Sequence, residues 1–343
     1  MLSMSDIDRH SQAAHAAYMD LLRSLQEEAV CDIQGTPTRL ERNGRGYWYD
    51  SYRVGTASKK RYLGEDTERL RELLAADRDK RGERRERERY RSRLVRLLRA
   101  EGFLGTDAAT GSLLNALAAP GVFRLGGTIV GTHAFRLYEG ELGVRYRFDD
   151  TAQTNDIDIA SFERLSLALK DTVSTSLSDV FSDLEFSPVP SLDRHKVWKW
   201  KQSRTDFLIE FLTPSFDETE GLRPLAALGV EAQSLHYLNY LLADPLQAAA
   251  IYRSGVLVQI PRPERYAIHK LIVASRRHAR SNPLKSQKDR RQAAFLIEIL
   301  AEDRPGDLLE ALETARERGP KWRKNIDASL AKMPEERDRL EAL

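Results

Sequence analysis

The apolar residues Ala14, Tyr18, Leu21, Leu22, Leu25 and Ala29 recur at three- and four-residue intervals, the stripe of an amphipathic helix that buries one face. The spacing predicts this helix over residues 5–29. Beyond it the period falls to two. Residues 39–42, 47–53 and 59–63 alternate as short strands, with Asn43-Gly44 marking a turn, and predict a small antiparallel meander. Asp66 can cap a following helix that carries Leu70, Leu73 and Leu74, and that helix runs through an arginine-rich segment, residues 78–99, until Gly102 ends it.

Between residues 121 and 214 the texture changes to short β-branched and aromatic runs separated by turn residues, at 128–130, 156–159 and 205–212. Strands mixed with helices over this span predict an α+β core. The runs at 235–242 and 255–260 can extend the sheet, although the first reads equally as a short helix. After Pro261 and Pro263 the pattern is helical to the end, with Tyr266, Leu271, Phe295, Leu296, Ile299, Leu300, Leu308 and Leu309 as core candidates. The expected organisation is a helix, meander and basic helix over 1–100, a core over 101–260, and a helical region over 261–343.

A chain of 343 residues is long enough for two or three units, and an apolar share of 41% supplies their cores. The net charge of +2 conceals a charged fraction of 31%, so the distribution of charge matters more than its sum. The lone cysteine, Cys31, excludes an internal disulfide and a cysteine-pair metal site, and fits a reducing compartment. The start of the chain is polar and no run approaches 18 apolar residues. The expectation is therefore no signal peptide, no membrane association, and a soluble cytoplasmic protein.

The sharpest chemical feature is Thr154-Asn155-Asp156-Ile157-Asp158-Ile159-Ala160, in which Asp156 and Asp158 project from one face of a strand. Two such carboxylates can hold Mg²⁺ or Mn²⁺, which takes one or two protein oxygens and completes its shell with water and phosphate. A bare Asp-x-Asp also occurs at solvated strand ends. The upstream segment from Leu125 to Phe135 changes the picture, because it reads strand, glycine turn, helix start. Free amides at a helix N-terminus, with the Thr132 hydroxyl, make a triphosphate site without a P-loop lysine. Two-metal phosphoryl transfer calls for a further acid, and Asp206 or Glu210, an even number of residues apart on one predicted strand, can supply it. No His-Glu-x-x-His, Gly-x-Ser-x-Gly or Gly-Lys-Ser/Thr motif offers a rival chemistry. His133 reads as a cap or pocket-lining residue, and His195, beside Trp198 and Trp200 with Lys196, Lys199 and Lys201 between, as a base or phosphate contact or as part of an amphipathic strand.

Together the glycine turn, the Thr-Asn-Asp-Ile-Asp-Ile stretch and Phe-Leu-Thr-Pro at 211–214 resemble the nucleotidyltransferase-like bacterial proteins of the polymerase-β superfamily related to the AbiEii toxin group, over roughly residues 122–300. The resemblance implies a polymerase-β-type core, an NTP as substrate, transfer of NMP to an acceptor hydroxyl, and a toxin or phage-defence role with a cognate antitoxin. It implies that Gly131-Thr132, rather than the nearby Gly126-Gly127, binds the triphosphate, with Gly127 in the same loop. It also implies that Lys270 contacts phosphate and is followed by the pair Lys288-Asp289. Asp206 and Glu210 both stay open as the third carboxylate; Glu210 precedes Phe-Leu-Thr-Pro, where the family pattern places an acid. One departure is the long interval between Gly131 and Asp156, read as an extended helix and loop over 138–150.

The acceptor is read from charge. Arg45, Tyr47, Trp48, Tyr49, Tyr52, Arg53, Lys59, Lys60, Arg61 and Tyr62 interleave cations with aromatics ahead of the basic helix. That combination suits an RNA such as tRNA; the same residues also read as a sheet whose aromatics pack on the first helix. A second basic cluster, Arg276, Arg277, Arg280, Lys285, Lys288, Arg290 and Arg291, flanks the same cleft if the C-terminal helices fold back over the sheet. The alternatives are transfer to a protein or small molecule, and a catalytically silent nucleic-acid-binding or regulatory protein on the same fold.

Overall fold

The computed structural model describes residues 7–28, 36–42, 45–54, 57–146, 156–161, 172–191, 196–216, 219–279 and 282–343. Helix α1 (Gln12–Glu28) starts later than its periodicity predicts. Residues 8–10 are held extended by other bonds: Arg145 N donates to Asp8 O at 2.7 Å and His10 N donates to Gly143 O at 2.9 Å. Ser11 then caps the helix, its Oγ accepting from Ala14 N at 3.2 Å.

The meander is present as β1 (Thr36–Arg42), β2 (Arg45–Val54) and β3 (Ala57–Glu65), antiparallel and in sequence order. Its Asn43-Gly44 turn lies outside the described residues. Helix α2 (Glu68–Ala100) is capped by Thr67, whose Oγ1 accepts from Leu70 N at 3.3 Å, and not by Asp66. Asp66 is occupied elsewhere, because its carboxylate accepts from Arg39 at 2.6 Å, Arg71 at 2.7 Å and the Trp48 indole at 2.9 Å. Arg71, Trp48 and Arg39 together hold its carboxyl well below the usual carboxylate range. Trp48 therefore ties the meander to α2 and is not a free stacking platform.

Next come α3 (Ala108–Ala118), β4 (Thr128–Val130), α4 (Gly131–Leu142), β5 (Asp156–Ala160), α5 (Leu177–Asp183), β6 (Phe186–Pro188), β7 (Lys199–Gln202), β8 (Leu208–Pro214), β9 (Leu222–Leu225) and β10 (Val230–Leu235). The strands form a mixed sheet of order β4-β5-β8-β10-β9, in which β5, β8 and β10 run parallel while β4 and β9 run antiparallel to their neighbours. A branch, β6-β7, pairs antiparallel with the first half of β8. Neither late apolar run extends this sheet as a new strand at its edge. β10 stops at Leu235 and Tyr237 turns the chain, with φ +71°, into the short helix α6 (Leu238–Leu241). The run at 255–260 becomes β12 (Val256–Ile260), which pairs with β11 (Leu246–Ala250) in a separate hairpin.

The C-terminal helices are α7 (Pro263–Ala279), α8 (Pro283–Asp303), α9 (Pro305–Glu317), α10 (Pro320–Leu330) and α11 (Pro334–Glu341). Each opens on a proline, which suits a first turn because its missing N–H would have no intrahelical partner there. These helices share one apolar cluster with the sheet, including Ile157, Ile209, Phe211, Ile268, Leu271, Leu296 and Leu300. A second cluster joins Tyr18 and Leu21 of α1 to Leu98 of α2, Phe103, and Ala249 and Ile251 of the hairpin region. The whole is a mixed α+β fold, its sheet flanked by helices. Among the described residues no helix is long and apolar enough to cross a membrane.

Candidate active site

Sheet register assembles the acids. Asp158 of β5 pairs with Glu210 of β8, and Glu210 in turn faces Lys199 of β7. Residues paired across strands point to the same face, so Asp158, Glu210 and Lys199 form a row. The Lys199 ammonium lies 2.5 Å from Glu210 Oε1. The alternate positions Ile157, Ile209 and Trp200, paired with one another in the same way, are buried in the core on the other face. Asp156 stands exposed at the start of β5 on the acid face.

At the other flank of Asp158 the ladder brings in Val130 of β4, directly before Gly131. Gly131 has φ +67°, and a Cβ there would lie 2.6 Å from Asp158 Oδ2. Glycine is needed twice over, for the left-handed backbone and for the close approach of the carboxylate. The Tyr266 hydroxyl of α7 donates to Gly131 O at 2.8 Å and fixes the turn from behind. Thr132, half-buried, follows in the first turn of α4.

The C-terminal helices do fold back on this turn, and they bring cations. Burial, then the charges of Glu210 and Asp156, push the Asp158 carboxyl up to about 7, while Lys270 and Arg277 pull it down. Lys270 and Arg277 both engage the buried Asp289, Nζ to Oδ1 at 2.7 Å and Nη1 to Oδ2 at 2.6 Å. Lys270 also stands over the Tyr266 ring, 5.1 Å from its centre. Lys288 is half-buried and makes no ion pair among the described residues; burial, then Lys270, lowers its pKa.

Several sequence expectations change in this light. Asp206 precedes β8, in the connection from β7; its exposed carboxylate bonds Lys201 at 2.7 Å, so it stands outside the row that Glu210 occupies. Gly127 answers to packing, since a Cβ there would meet Val122 Cγ1 at 2.6 Å and Val122 O at 2.8 Å. Asp289 is buried and orients Lys270 and Arg277, so it has no open face for a nucleotide. Lys270 is likewise buried and paired, and acts on Asp158 through its charge. Arg276 of the same basic cluster turns away to Glu220 at 3.2 Å. Of the helix and loop expected over 138–150, the helical part to Leu142 belongs to α4; residues 147–155 and His195 lie outside the described residues, and His133 is buried at the start of α4. Lys199, Arg277 and Tyr266 join the site although the sequence reading placed them, respectively, between tryptophans, in a flanking cluster and in the core.

The donor set can be tested against a divalent ion. It offers only carboxylate oxygens, and the pressure on Asp158 from its acidic neighbours is what a hard cation would relieve. Among the described residues no three His, Cys, Asp or Glu side chains are grouped to hold a metal. Asp156 and Asp158 could offer one or two carboxylates, a protein share that magnesium accepts when water and phosphate complete its shell.

A family model described as a nucleotidyltransferase matches residues 108–317, and one described as a domain of unknown function (DUF6788) matches residues 4–72. No curated protein and no solved structure matches the chain. The first match spans more than half of the chain and takes in the whole acid row with the glycine turn and the cations of α7 and α8; the chain belongs to the nucleotidyltransferase family.

Proposed function

We propose that this protein transfers a nucleoside monophosphate from an NTP to an acceptor hydroxyl in a metal-dependent reaction. The observation that carries the reading is the acid row set against the Gly131 turn and faced by the cations of α7 and α8. The acceptor oxygen forms a bond to the α-phosphorus as the bond from that phosphorus to the pyrophosphate oxygen breaks, and pyrophosphate leaves. The hydroxyl proton passes to Glu210 Oε2, the oxygen that Lys199 does not hold. Asp156 and Asp158 would hold Mg²⁺ or Mn²⁺, which supplies charge for the phosphates and a fixed geometry for in-line attack. Gly131 and Thr132 receive the triphosphate, and Lys288, with the charge of Lys270 and Arg277 behind it, offsets its negative charge.

The basic N-terminal segment supports RNA, tRNA included, as acceptor, and the likeness to the AbiEii toxin group supports a toxin or phage-defence role restrained by a cognate antitoxin. The test is incubation with each labelled NTP, Mg²⁺ or Mn²⁺ and total cellular RNA, beside an Asp156→Ala/Asp158→Ala control. Label on RNA that requires both aspartates is the expected result. Absence of label from RNA, protein and small molecules, together with absence of NTP binding, would instead mark a catalytically silent core.

A further inference from the structure

Away from the acid row, the last turns of α2 and the turn between β11 and β12 enclose an open groove of about 740 Å³, with Asn115 of α3 on its wall. Arg89, Arg93, Arg96 and Arg99 of α2 line it together with Arg253 of the hairpin turn, against a single carboxylate, Glu88. On a helix the spacings of four, three and three residues keep the first four on one face. At about 1.5 Å per residue they span about 15 Å, the reach of several successive phosphates on a strand. Arg99 is anchored, its Nη2 donating to Ile251 O at 3.3 Å. Arg89, Arg93, Arg96 and Arg253 are exposed and make no ion pair among the described residues.

Arg253 is placed there at a cost. It holds a left-handed backbone, φ +52°, that side chains other than glycine adopt reluctantly. Its guanidinium lies over the Tyr252 ring at 5.1 Å, which turns it toward the groove. The same turn places a glycine, Gly255, at its other left-handed position, φ +87°. Four guanidinium groups that make no ion pair among the described residues line one groove and repel one another, and planar two-pronged donors match phosphate oxygens.

We infer that this groove holds the phosphodiester backbone of a nucleic-acid strand. The inference rests on the nucleotidyl-transfer reading and names the surface that grips its nucleic-acid partner. Contact is to backbone, since the groove offers cations and few groups that could read base edges, so binding is salt-dependent and tolerant of sequence.

The test measures anisotropy of fluorescein-labelled single-stranded RNA and DNA of the same sequence with the full chain, from 50 to 300 mM salt. The variants are Arg89→Gln/Arg93→Gln/Arg96→Gln and, separately, Arg253→Asn, because asparagine tolerates the left-handed backbone. We expect the triple variant to raise Kd at least tenfold and to flatten the salt slope by about two, near 0.7 per lost phosphate contact on a single strand; Arg253→Asn flattens it by a smaller step. Manganese-dependent NTP binding stays unchanged in both variants, and Asp156→Ala/Asp158→Ala keeps nucleic-acid affinity, so failure of the groove and failure of the transferase reading are separable. The RNA and DNA arms show which strand the groove prefers. Unchanged affinity and slope in both folded variants, or preference of the wild type for phosphatidylserine vesicles or a polyglutamate peptide over both strands, would overturn the inference.

Discussion

At Gly131 a single methyl group decides between a working and a blocked turn. An alanine there would bring Cβ to 2.6 Å from Asp158 Oδ2 on a backbone at φ +67°. Gly131→Ala is expected to lose about 1–2 kcal/mol of stability from the backbone alone and to abolish NTP binding; a thermal melt and a fluorescent-NTP titration check both. Asp158 bears the opposite kind of constraint, a carboxyl pushed up to about 7 by burial and then by the charges of Glu210 and Asp156. Asp158→Asn should therefore raise the melting temperature in metal-free buffer while removing the stabilisation that Mg²⁺ bound at this carboxylate would give the wild type. That stabilisation would be about 1.4 kcal/mol at tenfold excess over Kd. A magnesium-dependent shift of equal size in the variant would remove Asp158 from the ion site.

At the scale of elements, the junction of α7 and α8 is where charge is stored. Asp289 is buried between Lys270 and Arg277, and removing one partner of such a group strands the others. Asp289→Ala is expected to cost about 3–5 kcal/mol in urea denaturation and to weaken NTP binding, whereas breaking an exposed, solvent-screened pair such as Lys201–Asp206 should change stability far less. His269 sits on the same helix and is held neutral: burial, then Lys270, lower its pKa to about 3. The unfolded chain, near 6.5, takes up the proton first, so stability contributed by the neutral ring is present above about 6.5 and is lost as pH falls toward 3. Urea midpoints at pH 7 and pH 5 should show wild type losing up to about 2 kcal/mol more than His269→Gln; parallel losses would place the ring in water. The helices themselves were legible from sequence, because a proline at the first position and apolar spacing are local signals. Asp66 misled as a cap for a related reason. Its side chain suits that place, but Arg39 and Trp48 of the meander, distant in sequence, and Arg71 of the helix itself compete for it and win.

In the whole molecule, the N-terminal hundred residues are not an appendage. Leu21 and Leu98 pack with Ala249 and Ile251 in one cluster, so a fragment of residues 101–343 should expose that face and aggregate or melt far below the full chain, as size-exclusion chromatography and calorimetry would show. A separate, larger cluster runs across residue 261, shared by the sheet and the C-terminal helices. The sequence by itself determined which residues could do chemistry. Alternation placed Asp156 and Asp158 on one strand face, a glycine before a helix marked the turn, and paired prolines and apolar stripes marked the C-terminal helices, all features set within a few residues. Only the tertiary structure decided which of those residues meet. Glu210 rather than Asp206 faces Asp158, Lys199 closes the row, and Lys270 and Arg277 turn inward to Asp289, because strand register and helix docking depend on burial across the whole chain and not on any local spacing.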